Sequence, residues 1–234
     1  MNAEELASSL IAALAHPDGR GARVQYLIQT AARSPAPQVV AELLKTEADR
    51  QLFILPRQCL PLADAIQRIG AFSERPSIEG LGAMTAADAL REQGHYSKAL
   101  RDYDRASALY ESADDEVGWA RTRLGAAYTR AATVELGPAL EEAEVARKIL
   151  SRRGLWLRLA RLESAMGNLL RELGRYEDSL EVHARAFAAG KLRRDGELAQ
   201  DRGSGSRNAR VRWSGLLQRG MGTRRRRGRN RGER

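Results

Sequence analysis

The chain repeats itself at an interval of 40 residues, and this recurrence constrains its fold more than any other feature. Leu60, Leu100, Leu140 and Leu180 fall on the interval, each preceded by a small residue: Cys59, Ala99, Ala139 and Ser179. Seven positions after each small residue stand Ile66, Ala106, Ala146 and Ala186, and two units share a turn signature, Gly94-His95-Tyr96 and Gly174-Arg175-Tyr176. A fixed period of this length marks one supersecondary unit that cannot bury its own apolar face and stacks on copies of itself. The expected fold is all-α, a solenoid of antiparallel helix hairpins, and the expected role is a binding surface with no catalysis. Apolar residues make up 43% of the chain and aromatics only 5%, which suits helices packed closely on small side chains.

Punctuation divides the chain into three parts. Residues 1–36 are expected to form a helical cap, with helices over 3–15 and 23–32 stopped by His16-Pro17-Asp18-Gly19 and Ser34-Pro35-Ala36-Pro37. Residues 37–200 hold about four hairpins, with helices expected near 38–53 and 56–70, 78–93 and 97–111, two within 116–151, and a fourth pair from 155 to 189. Pro56 suits the first turn of its helix, where its missing N–H costs nothing. The third hairpin has a degenerate turn, Val134-Glu135-Leu136-Gly137-Pro138, and a fifth leading helix is expected to start at Gly196. Residues 201–234 read as a disordered Arg/Gly-rich tail.

The formal charge of +9 belongs to that tail. Residues 201–234 carry 12 Arg against Asp201 and Glu233, a net of +10, so residues 1–200 carry −1. The tail is open to three readings: an arm that binds nucleic acid through phosphates, a solubilising tail, or an out-of-frame extension of a GC-rich coding region. The repeat stops after Gln200, within an expected helix, and this favours the third.

In the second unit Ala87, Gly94, Tyr96, Ala99, Tyr103 and Ala106 follow the pattern of the tetratricopeptide repeat family, which the chain resembles. The fourth unit keeps Gly167, Gly174, Tyr176 and Ala186 but has Ser179 and His183 where the family carries Ala and an aromatic. The third keeps Ala127, Ala139 and Ala146 and has lost both turn residues. The resemblance implies a right-handed α-solenoid; the interval of 40, in place of the family's 34, is similar to the longer bacterial repeats that precede CHAT-type peptidase domains. On that likeness the chain is a protein-binding scaffold or sensor module, or the N-terminal remnant of a larger enzyme or signalling protein.

No residues gather into a recognisable catalytic or cofactor motif. Phosphate-loop, Gly-x-Ser-x-Gly and His-Glu-x-x-His patterns are absent, and His16, His95 and His183 are too scattered to share a metal. No catalysis, cofactor or metal is therefore expected. Cys59, the lone cysteine, sits in the small-residue column and reads as a packing residue. Asp114, Asp115 and Glu116 read as acids favouring a helix N-terminus. No stretch approaches the ~20 apolar residues of a membrane span, and no signal peptide is evident, so the expected location is cytoplasmic.

In a tetratricopeptide-like fold the first helix of each hairpin lines the concave groove. In the 40-residue register its inward candidates are Met84, Asp88 and Arg91, then Arg121, Leu124 and Tyr128, then Arg161, Ser164, Asn168 and Arg171. Arg91, Arg121, Arg161 and Arg171 would favour an acidic segment or a peptide carboxylate, because a guanidinium pairs bidentately with it, and Asn168 could clamp a peptide backbone. The expected partner is a protein or peptide, with nucleic acid reachable only through the tail and no membrane involved.

Overall fold

A computed structural model describes residues 1–15, 21–133 and 136–201. Among these residues all regular structure is helical: α1 (Ala3–Ala15), α2 (Ala22–Ala32), α3 (Pro37–Gln51), α4 (Pro56–Phe72), α5 (Pro76–Glu92), α6 (Tyr96–Ser112), α7 (Glu116–Ala132), α8 (Leu136–Arg152), α9 (Trp156–Glu172) and α10 (Tyr176–Asp201). From α5 onward each helix starts 20 residues after the one before, so two helices with their turns account for the interval of 40.

Local chemistry sets these boundaries. Asn2 and Glu5 form a reciprocal box at the start of α1, the Glu5 N–H donating to Asn2 Oδ1 at 2.8 Å and the Asn2 N–H to Glu5 Oε2 at 2.9 Å. Pro37, Pro56 and Pro76 open α3, α4 and α5, where no intrahelical donor is needed. Asp115 caps α7 by accepting the Gly118 N–H at 2.8 Å.

The ends repeat as strictly as the beginnings. Glu74, Gly94, Asp114, Gly154 and Gly174 all take positive φ, between 52° and 77°. At each, the following N–H reaches back five residues, as from His95 to Leu90 O at 2.9 Å and from Arg175 to Leu170 O at 2.8 Å. This left-handed cap closes a helix and reverses the chain within three residues, and glycine adopts it at least cost. Asp114 thus ends α6 and does not belong to the start of α7, contrary to the dipole reading of the sequence.

Each helix packs on its successor, and α3, α5, α7 and α9 also touch in succession. No contact of like extent joins α4 to α6, α6 to α8 or α8 to α10 among the described residues. The small-residue column is what lets neighbours approach: Cys59, Ala99, Ala139 and Ser179 are all buried, as are Ile66, Ala106, Ala146 and Ala186. Tyr103 and Tyr110, both buried on α6, lie against Gly125 and Gly118 of α7, where any Cβ would strike the rings. Cys59 donates its S–H to Ala48 O at 3.3 Å, and burial pushes its thiol pKa up, as befits an inert packing group.

Two expectations fail at the C-terminal end. Residues 136–138, expected in a turn, lie in the first turn of α8, whose start keeps the 20-residue step. No new helix begins at Gly196, because α10 continues unbroken to Asp201. Gly190 and Gly196 supply a residue able to take positive φ, but neither is followed by the reversal that Gly94 and Gly174 make.

The Leu column reports the consequence. Leu60, Leu100 and Leu140 are half-buried and pack on the core, whereas Leu180 is 71% exposed. Phe187 on the same helix is also 71% exposed and Tyr176 66%. Among the described residues nothing follows α10 to cover the face that α5, α7 and α9 cover on α4, α6 and α8.

Candidate binding face on the odd-numbered helices

The face built by α3, α5, α7 and α9 rests on a buried polar thread. Lys45 of α3 is buried, paired with Asp49 and with Asp88 of α5, Nζ to Oδ2 being 3.4 Å. The Tyr103 hydroxyl of α6 donates to the other Asp88 oxygen at 2.7 Å. A buried lysine of this kind is tolerated only with its charge matched, and Asp88 does so while tying three helices together. Asp88 is therefore occupied internally, and burial together with its charge raises the Tyr103 pKa well above the ordinary phenol value.

Arg91 lies one turn further along α5. Its Nη2 pairs with Glu92 Oε1 at 2.9 Å and its guanidinium carbon is 5.6 Å from the centroid of the Tyr128 ring. Burial alone would lower its pKa, but Tyr103, Asp88 and Glu92 outweigh that and hold it above the usual value. Its Nε is buried without a hydrogen-bond partner among the described residues.

Tyr128 carries the line onward from α7, its hydroxyl donating to the Arg161 carbonyl of α9 at 3.2 Å. Burial raises the Tyr128 pKa and the flanking charges of Arg91 and Arg161 pull it back. Arg91, Tyr128 and Arg161 thus form one row across α5, α7 and α9.

Beside the row stands Arg158, which the register did not single out. It is half-buried, and its pKa is lowered first by burial and then by the positive charge of Arg121, with Arg161 adding to it and Glu42 and Tyr110 opposing. Arg121 is half-buried and Arg161 exposed, and none of the three makes an ion pair or side-chain hydrogen bond among the described residues. Other arginines of the chain do: Arg123 reaches Glu142 at 3.4 Å, Arg152 and Arg153 both reach Glu116, and Arg185 reaches Glu163. Like charges gathered without an ion-pair partner cost free energy that an incoming anion would recover.

The remaining candidates scatter. Met84 is buried in the core, since α5 is covered by neighbours on almost every side. Leu124 packs against the core and Ser164 donates to Ala160 O at 2.9 Å. Asn168 and Arg171 are exposed further along α9 and make no side-chain hydrogen bond or ion pair among the described residues. Of the expected groove residues, the structure gathers Arg91, Arg121, Tyr128 and Arg161, leaves Asn168 and Arg171 apart, and adds Arg158.

His95 is exposed in its turn and His183 packs against Gly167, while His16 lies outside the described residues. Among the described residues no three metal-ligating side chains gather and no helix is long and apolar enough to cross a membrane. The Arg-rich segment 202–234 lies outside the described residues. Comparison with protein-family models, curated proteins and solved structures finds no match to this chain.

Proposed function

We propose that this chain is a right-handed α-solenoid of tetratricopeptide-like hairpins that binds an acidic protein or peptide segment along α3, α5, α7 and α9, serving as a scaffold or sensor module. The observation that carries this reading is the set of guanidinium groups on that face, Arg121, Arg158 and Arg161, which lack carboxylate partners although most arginines nearby have one. An arginine fork pairs bidentately with a carboxylate, and Tyr128 adds a flat apolar surface for the peptide between them. The contact of odd-numbered helices in succession supports a continuous lining for an extended segment. Four hairpins after a two-helix N-terminal cap complete the reading.

A fluorescent poly-glutamate peptide is the direct probe. Anisotropy should show saturable binding to the full chain, and replacing Arg91, Arg121, Arg161 and Arg171 together by Ala should weaken it about 100-fold, from ~1 kcal/mol or less for each charged contact. Unchanged helicity by circular dichroism would show that the variant is folded. Affinity that survives the fourfold change but disappears when residues 202–234 are removed would shift the partner to the tail and favour the nucleic-acid reading.

A further inference from the structure

The arrangement of Arg121, Arg158 and Arg161 says more about the ligand than that it is negative. Arg158 and Arg161 are three apart on α9, so their side chains leave the same face about one turn apart. Arg121 approaches from α7, which touches α9, and it holds in its own hairpin the register position that Arg161 holds in the next. Their proximity is felt in the titration of Arg158, whose charged form is disfavoured by burial and then by Arg121 and Arg161. Glu42 of α3 is the acid that acts on Arg158, and its carboxylate is taken up by the Gln38 amide at 3.2 Å.

Arg121 and Arg161 are the positive groups that weigh on Arg158, and Glu42 is the carboxylate that opposes them. A single peptide carboxylate offers one negative charge and two acceptor oxygens to three guanidinium groups. A phosphate monoester carries about −1.5 to −2 near neutral pH and offers three acceptor oxygens, enough for a fork from each of three arginines. On the reading that this face binds a peptide, we propose that Arg121, Arg158 and Arg161 form a site for the phosphate group of a phosphorylated side chain. Tyr128 stands beside Arg161, its hydroxyl donating to the Arg161 carbonyl at 3.2 Å. The positive set is built into the even spacing of the helices: Arg158 stands where the preceding hairpin has Gly118 and the one before it Ile78, so only here does the face acquire a third guanidinium.

Titration calorimetry of the full chain at fixed ionic strength tests this with three probes: a Gly-Gly-phosphoserine-Gly-Gly peptide, inorganic phosphate, and the same peptide with glutamate in place of phosphoserine. The phosphopeptide should bind saturably and about tenfold or more tightly than the glutamate peptide. Arg158→Gln should weaken phosphopeptide binding about tenfold, Arg158→Lys by less, and Arg68→Gln, on α4 and outside this face, not at all. Arg158→Gln should also melt no lower than the wild type when no anion is present, because it removes a cation crowded by others; Arg121→Gln provides a second variant with the same expected loss. Equal affinity for the phosphoserine and glutamate peptides, or a phosphopeptide affinity indifferent to both substitutions, would overturn the site. Inorganic phosphate binding tenfold more tightly than the phosphopeptide would make it a site for free phosphate and overturn the peptide assignment. Loss of the phosphate preference with poly-glutamate binding intact refutes this inference alone; loss of poly-glutamate binding with the phosphate preference intact refutes the peptide reading alone.

Discussion

The Arg91 guanidinium lies over the ring of Tyr128, 5.6 Å from its centroid, so that a side chain of α5 rests on one of α7. The tyrosine hydroxyl continues the chain of contact to the Arg161 carbonyl of α9 at 3.2 Å. Cation and ring together link three successive odd-numbered helices across the face on which the proposed ligand would lie.

The strength of that link can be measured by a double-mutant cycle. Arg91→Gln and Tyr128→Leu should show a coupling of about 0.5–1 kcal/mol in urea unfolding, the range for a partly exposed cation over a ring. Additive effects would reduce the contact to mere adjacency. Tyr128→Phe keeps the ring and removes only the hydroxyl bond, and should cost about 0.5–1.5 kcal/mol.

The left-handed cap makes a prediction of opposite sign at two of its positions. Glu74 and Asp114 adopt φ of 52°, where a side chain is strained, while Gly94, Gly154 and Gly174 hold the equivalent place without strain. Glu74→Gly and Asp114→Gly should each stabilise the fold by about 0.5–1 kcal/mol, and Gly94→Ala should cost about 1 kcal/mol although its Cβ would meet open space. Thermal melting of the three variants checks the set, and destabilisation by Asp114→Gly would show that its carboxylate has a further role.

Much of this architecture was legible in the sequence because the physics that fixes it is periodic. The column Cys59, Ala99, Ala139 and Ser179 is buried throughout, since only small side chains allow the helices of a hairpin to meet. Gly94 and Gly174 announced turns because glycine is the residue that ends a helix most cheaply. Three features escaped because the period does not decide them. Arg158 has Gly118 and Ile78 as its register partners, and only its spacing from Arg161 hinted at a shared face. Met84 looked like a groove residue because a helical wheel cannot tell a helix with one covered side from α5, which has neighbours on almost all sides. The start of a fifth helix at Gly196 depended on a turn, and the absence of a reversal there is a tertiary fact that local propensity does not encode.

Exposure along the Leu column separates covered from uncovered positions in function as well as geometry. Leu100→Ala should cost about 1–3 kcal/mol, because Leu100 packs on the core. Leu180→Ala removes a side chain that is 71% exposed and should change stability by no more than about 0.5 kcal/mol. Paired with Phe187→Ser it should also lower dye binding to apolar surface and any self-association seen in sedimentation. A cost for Leu180→Ala as large as that for Leu100→Ala would mean that α10 is covered in solution.

Glu163 supplies the pH test. It is buried on α9, and burial holds its pKa above the usual carboxylate value, an effect that Arg185 at 3.2 Å and Arg147 only partly offset while Glu144 adds to it. A raised acid favours the folded state while protonated, so its stabilising contribution is present at low pH and is lost as pH rises through its folded pKa. Glu163→Gln cannot lose a proton, and its melting temperature relative to the wild type should therefore climb between pH 4 and pH 7. A difference that is flat or falls over that range would show that the Arg185 pair outweighs burial.

The even 20-residue step from one helix start to the next, from Pro56 to Tyr176, sets a rule for how such a chain can be edited. Excising or duplicating a segment of 40 residues, such as 96–135, returns every later side chain to the layer and the column it already occupies. A length that is not a multiple of 40 would exchange the two layers or turn the small-residue column away from its neighbour. The molecule is in this sense a ruled scale, lengthened or shortened only by whole divisions, and the face built by its odd-numbered helices would grow or shrink by one helix's worth of side chains at each.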